Sequence, residues 1–290
     1  MKTAVVLDSN SGLSQAQGRE AGFFILPMPF SIDGKEYLDG VNLSPEDFVR
    51  YQREGADIVT SQPAPGDIMA FWDDILKTYD SIIHLPMSSA LSGSCQTANM
   101  LSQEEPYLGR VFVVDNKRIS ITQISAGQDA KQLVEAGLLG EEIKSRLEKA
   151  AGEASIYLTV QDLKYLKKGG RITPMAAALG TLLKIKPVLQ IGEKKIDAFA
   201  KARTLKQAKS IMVEAVQEDL KGRLSDPEGK NCRIMVAQYE AEEEAALFAK
   251  ELEGVFPGCP HISVVSLSLS VATHIGPGTI AIAAARRIAL

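Results

Sequence analysis

Two short loops carry the residue types of an anion receptor: Thr60-Ser61-Gln62-Pro63 and Leu91-Ser92-Gly93-Ser94. In the second, glycine lets the backbone approach a ligand closely, and the helical pattern that opens behind it, Gly93–Leu101, would present unpaired N–H groups to a carboxylate or phosphate. Ser92 is equally suited to the plainer task of capping that helix. In the first loop Pro63 forces Gln62 out of helical geometry. Thr60 then either offers its hydroxyl to the same anion or bonds to its own backbone as a turn residue. Further along, Lys167-Lys168-Gly169-Gly170-Arg171 reads as a helix stop with solvated cations, or as a turn that aims Arg171 at an anion. His274, just before Gly276-Pro277-Gly278, is a weaker signal of the same kind.

Patterns for catalysis fail where they can be tested. A serine-hydrolase elbow reads Gly-x-Ser-x-Gly, whereas Ala90 and Ser94 stand at the two glycine positions around Ser92. There is no phosphate-loop or dinucleotide-binding glycine fingerprint and no HExxH spacing. The three cysteines, Cys95, Cys232 and Cys259, lie far apart without a CxxC pair, so neither a disulfide framework nor a thiolate metal site is indicated. No catalytic residue, metal or cofactor is therefore expected. A small-molecule hydrolase or phosphoryl-transfer enzyme with its anion on Ser92 and Arg171 stays open as an alternative, to be recognised by turnover in the isolated chain.

The loops need elements to hold them. Four apolar runs in the first half end in small polar residues: Ala4–Leu7 before Asp8-Ser9, Ile58-Val59 before Thr60-Ser61, Ile82-Ile83 before Pro86 and Ser88-Ser89, and Val111–Val114 before Asp115-Asn116. Each reads as a strand entering a loop, and helical stripes such as Asp67–Tyr79 follow most of them. Alternating strand and helix implies a parallel sheet with helices on both faces, whose ligands bind beyond the carboxyl ends of the strands. Phe30–Leu38 departs from this rhythm by alternating about Asp33-Gly34, a favoured hairpin turn. The second half offers strands at Ser155–Val160, Val188–Ile191, Lys195–Phe199, Arg233–Ala237 and Ser263–Val265, with helices at Leu205–Leu220 and Ala241–Leu252. The acidic run Glu240, Glu242, Glu243 and Glu244 reads as a solvated helix start. The expected division is an N-terminal α/β domain over 1–155, with a small inserted β subdomain at about 24–58, and a C-terminal α/β domain over 156–290.

Composition narrows the partners. The 290 residues are 45% hydrophobic and 23% charged, with a formal net charge of −4, an ordinary globular balance without the basic face that nucleic acid needs. The stretch from Ile262 onward is interrupted by serines, His274 and Gly276-Pro277-Gly278, so no membrane insertion is expected. The N-terminus turns acidic at Asp8 too soon for a secretory signal, and a cytoplasmic location is expected.

Taken in order, Asp8-Ser9 with Leu13, Thr60-Ser61-Gln62-Pro63, Leu91-Ser92-Gly93-Ser94 with Gln96 and Ala98, Val114-Asp115, Leu166–Ile172, Lys186-Pro187 with Leu189, and His274–Gly278 resemble the blocks of the DegV family nearly end to end. The resemblance implies a two-domain α/β protein that binds one long-chain fatty acid such as palmitate, with its carboxylate at the domain junction and its acyl chain in a buried tunnel. Thr60 and Ser92 match the carboxylate-binding positions, and Ser61, Gly93, Ser94, Arg171 and His274 fall in neighbouring motifs as supporting residues. Some members present the fatty acid to a separate ATP-binding fatty-acid kinase subunit that phosphorylates it for phospholipid synthesis. For such a partner Arg171 and Arg203 are candidate contacts; a lipid sensor would share the same pocket. The block Asn116-Lys117-Arg118 with Ser120 and Thr122 departs from the family's usual serine and glycine pattern, and Cys95 stands where tyrosine is commoner.

Overall fold

The computed structural model describes residues 2–179, 185–191, 195–259 and 261–290. The chain divides into two compact units, one of Met1–Ala151 with Ser268–Ser270 and Ile288–Leu290, the other of Gly152–Leu267 and Val271–Arg287. The division falls just before the strand Ala154–Thr159, which belongs wholly to the second sheet, so a cut at 155/156 would pass through it.

The first unit is built on a four-stranded sheet, in the order β2 (Phe24–Leu26), β1 (Thr3–Asp8), β6 (Ser81–Leu85) and β7 (Val111–Val113), every pair parallel. Its strands are apolar on both sides because both faces are covered. Val5, Leu7, Ile83 and Leu85 pack with Ala126, Ala130 and Leu133 of α5 (Ile121–Glu135) and with Ile143 and Leu147 of α6 (Gly140–Lys149). On the opposite face Ala4, Val6, Ile82 and Val113 pack with Ile68, Trp72 and Ile75 of α3 (Pro65–Leu76) and with Cys95 and Ala98 of α4 (Ser94–Ser102). Helix α5 has no polar stripe to announce it, since both the sheet and its neighbours bury it.

A separate antiparallel sheet holds β4 (Lys35–Leu38), β3 (Pro29–Ile32) and β5 (Ile58–Thr60), in that order. Asp33 and Gly34 turn the hairpin with φ of 49° and 81°, the left-handed pair that matches strand twist. Two expectations change here. Phe24–Leu26, counted with the inserted segment, is an edge strand of the parallel sheet, and Ile58-Val59, counted with the parallel sheet, pairs with β3 instead. The reason is length: α2 (Pro45–Glu54) carries the chain back to β3's free edge, and Val59 faces solvent there.

The second unit carries a six-stranded sheet ordered β10 (Ile196–Ala202), β9 (Lys186–Ile191), β8 (Ala154–Thr159), β13 (Thr279–Arg286), β11 (Cys232–Tyr239) and β12 (Ser263–Ser266). Only β11 and β12 run parallel. Helices α9 (Leu205–Lys221) and α10 (Glu242–Val255) cover one face, where Ile280, Ile282 and Ala284 join Met212, Val216, Phe248 and Leu252. The acidic start of α10 does more than face water: Glu244 accepts a hydrogen bond from the buried Lys209 ammonium at 2.7 Å. Among the described residues no helix is long and apolar enough to cross a membrane.

Among the described glycines of the first unit, the one with least room for a side chain is Gly140, where an added Cβ would stand 2.1 Å from the Phe112 ring. That ring, on β7, is buried among the side chains of α5 and α6. Gly140→Ala is expected to lower stability by about 1–3 kcal/mol, the usual cost of overpacking, read as a lower urea midpoint at unchanged slope.

Candidate functional site

The site begins with Asp8 at the end of β1. Its carboxylate is wholly buried and accepts from the Asn10 N–H (3.1 Å), the Met87 N–H (2.7 Å) and the Gln123 amide (3.0 Å), while Gln123 also donates to the Leu85 carbonyl (2.8 Å). One side chain thus ties together the ends of β1 and β6 and the first turn of α5. Burial, which outweighs those three donors, raises the Asp8 pKa to about 6.

From this anchor the second loop is laid down bond by bond. The Ser88 N–H donates to the Arg118 carbonyl, and the Ser88 carbonyl accepts from Leu91 and Ser92 (3.0 and 3.2 Å). The Ser92 hydroxyl, half-buried, accepts from the Ser94 N–H at 3.2 Å. The N-cap of α4 is Gly93, not Ser92, and it makes no side-chain cap. The first turn therefore opens beside a hydroxyl and a residue without a side chain, the arrangement that favours an anion.

Thr60 ends β5 opposite Phe30, and Ser61 N–H bonds the Pro29 carbonyl at 3.2 Å. This loop is not at a carboxyl end of the parallel sheet, as its sequence suggested. It nonetheless meets the α4 loop: the Gln62 amide donates to Thr97 at 3.1 Å, and its Oε1 would lie 2.7 Å from a Cβ placed on Gly93. The absence of a side chain at Gly93 is what lets the two hydroxyl loops adjoin.

A second buried carboxylate, Asp39, follows β4. It accepts from the Ser9 hydroxyl (3.1 Å) and from the Leu269 and Ser270 N–H groups (3.3 Å each) of the segment that joins the first unit. Ser9 also accepts from the Met28 N–H at 3.0 Å. Burial raises the Asp39 pKa to about 6 as well. Nothing in the local sequence singled out Asp39 or Gln123, because their partners lie 30 to 231 and 38 to 115 positions away.

In the second unit Arg171 and His274 come together. Helix α7 (Lys164–Gly169) ends at Gly170 with φ 66°, and Arg171 folds back to donate to the Gly169 carbonyl. His274, on α11 (Leu269–Ile275), lies so near that a Cβ on Gly169 would be 2.1 Å from its Nδ1. Gly276 and Gly278, with φ of 74° each, pass against Tyr165 and Gln161. Burial first, and the Arg171 charge second, lower the His274 pKa to about 4. His274 is therefore neutral at pH 7. Arg203, exposed between β10 and α9, donates its N–H to Gln207 and belongs to neither cluster.

Comparison with known proteins agrees across the chain. A family model described as an uncharacterised protein, DegV family, matches residues 2–287. The chain is 32% identical over 288 residues to the DegV domain-containing protein YqaC of Lactococcus lactis, covering 97% of this chain and 98% of that one. Among solved structures, a DegV family protein from Thermus thermophilus described for its fatty acid binding is similar with TM-score 0.88 and 32% identity, over 99% of this chain and 100% of that chain. DegV of Bacillus subtilis, described as a fatty acid binding protein, is similar with TM-score 0.85 and 27% identity, over 99% of both chains.

The two buried carboxylates give a pH prediction whose sign is fixed. Each folded pKa, about 6, lies above the ordinary 3.8, so the folded chain holds more protons than the unfolded one between those values. Their contribution to stability is fully present below pH 3.8 and is lost as pH rises through about 6. Carbon-13 NMR of the Asp8 and Asp39 carboxyl groups should show midpoints near pH 6; midpoints in the ordinary range would contradict the burial argument.

Proposed function

The chain belongs to the DegV family, and from that membership we propose that it is a carrier that binds one long-chain fatty acid by its carboxylate, through the hydroxyls of Thr60 and Ser92. The observation that supports this most is the seating of Gln62 over Gly93, which sets the two hydroxyl loops side by side at the α4 terminus, where the N-cap is a glycine. Relatives from Thermus thermophilus and Bacillus subtilis described as fatty-acid-binding align with almost the whole chain. Ser61, Gly93 and Ser94 shape the head-group loops, and Arg171 and His274 are supporting residues, the first cationic and the second a neutral hydrogen-bonding group.

The energetics divide the labour. Each buried methylene contributes about 0.8 kcal/mol, so the acyl chain dominates affinity. Hydrogen bonds to a charged carboxylate contribute about 1.5–3 kcal/mol apiece, enough to fix which end enters and to reject chains without the head group. The carrier works in the cytoplasm without chemistry of its own and presents the fatty acid to an ATP-binding kinase subunit for phospholipid synthesis, with Arg171 and Arg203 as contacts.

Organic extract of the purified, denatured protein should contain fatty acid by mass spectrometry, near one per chain. Ser92→Ala and Thr60→Ala should each weaken fatty-acid binding by about 10- to 100-fold while leaving the fold intact. A folded, lipid-free protein that refuses added fatty acid would overturn the reading.

A further inference from the structure

Beside the Ser92 loop stands an ion pair that the carboxylate reading does not yet use. The segments that leave β6 and β7 are zipped together there. The Ser88 N–H donates to the Arg118 carbonyl (2.8 Å), the Ser89 N–H donates to the Asp115 carboxylate (3.4 Å), and the Lys117 ammonium donates to both the Ser89 hydroxyl and Asp115. Lys117 reaches this place from left-handed backbone, with φ 58°, which side chains adopt at a cost. Burial works to raise the Asp115 pKa, yet the hydrogen bonds from Lys117 and Ser89 outweigh it and hold the carboxyl below its ordinary value. Asp115 is therefore charged at pH 7.

The turn that follows brings this pair to Ser92. The Ser88 carbonyl accepts from both Leu91 and Ser92, so 88–92 is one helical turn with Ser89 and Ser92 on the same side of it, about 5–6 Å apart at Cβ. An ammonium bonded to the Ser89 hydroxyl then lies within roughly 10 Å of Ser92, and the Asp115 carboxylate is bonded to that same ammonium. The Cys95 thiol, in the first turn of α4, feels both charges: burial first, and Asp115 second, push it up to about 12, and Lys117 opposes them. A further acid, Glu148, accepts the Asp115 N–H (3.2 Å) and has its own lysine, Lys144, at 3.9 Å. The first turn of α4 thus stands beside two acids, each answered by a lysine. A carboxylate arriving at Ser92 meets Asp115 as a like charge. At this separation, in a loop that is only part buried, an unanswered like charge weakens binding by about tenfold.

We propose that Lys117 is a positioning residue for head-group specificity: by neutralising Asp115 it lets an ionised carboxylate sit at Ser92, so that this chain prefers fatty acids to lipids of the same length with an uncharged head. This rests on the fatty-acid reading above and names the residue that sets its charge selectivity. The test uses delipidated full-length protein titrated with palmitate and with hexadecanol. Lys117→Met keeps the stem and the backbone conformation and removes the charge. It should weaken palmitate binding by about tenfold and leave hexadecanol unchanged, and the loss should shrink as salt is raised. Lys117→Arg should bind palmitate as the unaltered chain does. Adding Asp115→Asn to Lys117→Met removes the repelling charge while its amide oxygen still accepts from Ser89, and should restore palmitate binding; far-UV circular dichroism checks the fold of each variant. Equal losses for palmitate and hexadecanol, an unchanged palmitate affinity in Lys117→Met, or a double variant that stays weak would overturn the proposal while leaving the carrier reading intact. Failure of the unaltered chain to bind palmitate would instead overturn the carrier reading.

Discussion

The buried carboxylate of Asp8 is the constraint from which the site follows. Its oxygens collect N–H groups from Asn10, Met87 and Gln123, three segments that meet nowhere else in sequence. With Met87 fixed, Ser88 can turn the chain through its carbonyl, and the turn delivers Ser92 and Gly93 to the start of α4. A buried charge is costly, and the pKa near 6 indicates that three donors do not fully offset its desolvation. The return is a loop held by its own bonds, the Ser92 hydroxyl among them as acceptor of the Ser94 N–H, which leaves little backbone to be ordered should a ligand arrive.

Gly93 provides a second constraint of a steric kind. Because nothing projects from it, Gln62 can lie across the loop and reach Thr97, so a strand from the antiparallel sheet brings Thr60 to a helix of the parallel one. On the proposed reading, polar recognition sits on these loops.

Much of this was legible in the chain because it is local. The runs Ala4–Leu7, Ile82-Ile83 and Val111–Val114 are strands of the parallel sheet, Asp33-Gly34 makes the hairpin, and Gly170 stops α7, each through patterns spanning a few residues. What escaped depends on distant partners. Strand β5 looks like any apolar run before a polar loop, and only its pairing with β3 assigns it to the antiparallel sheet. The central strand β13 reads Thr-Ile-Ala-Ile-Ala-Ala-Ala-Arg, and alanine's weak strand preference hides it until β8 and β11 bracket it. Asp39 and Gln123 gain their roles from bonds across the fold. Thr60 and Ser92, the proposed carboxylate ligands, stand out in the sequence as loop hydroxyls, whereas the bridge between their loops, Gln62, does not.

The central claim is that these two hydroxyls hold a carboxylate, and the carboxyl carbon of a bound fatty acid reports on that directly. Palmitate labelled with carbon-13 at its carboxyl and bound to the delipidated protein should give one resonance distinct from free palmitate. That resonance should move in both Ser92→Ala and Thr60→Ala. A bound resonance unmoved by either substitution would place the head group elsewhere and contradict the account.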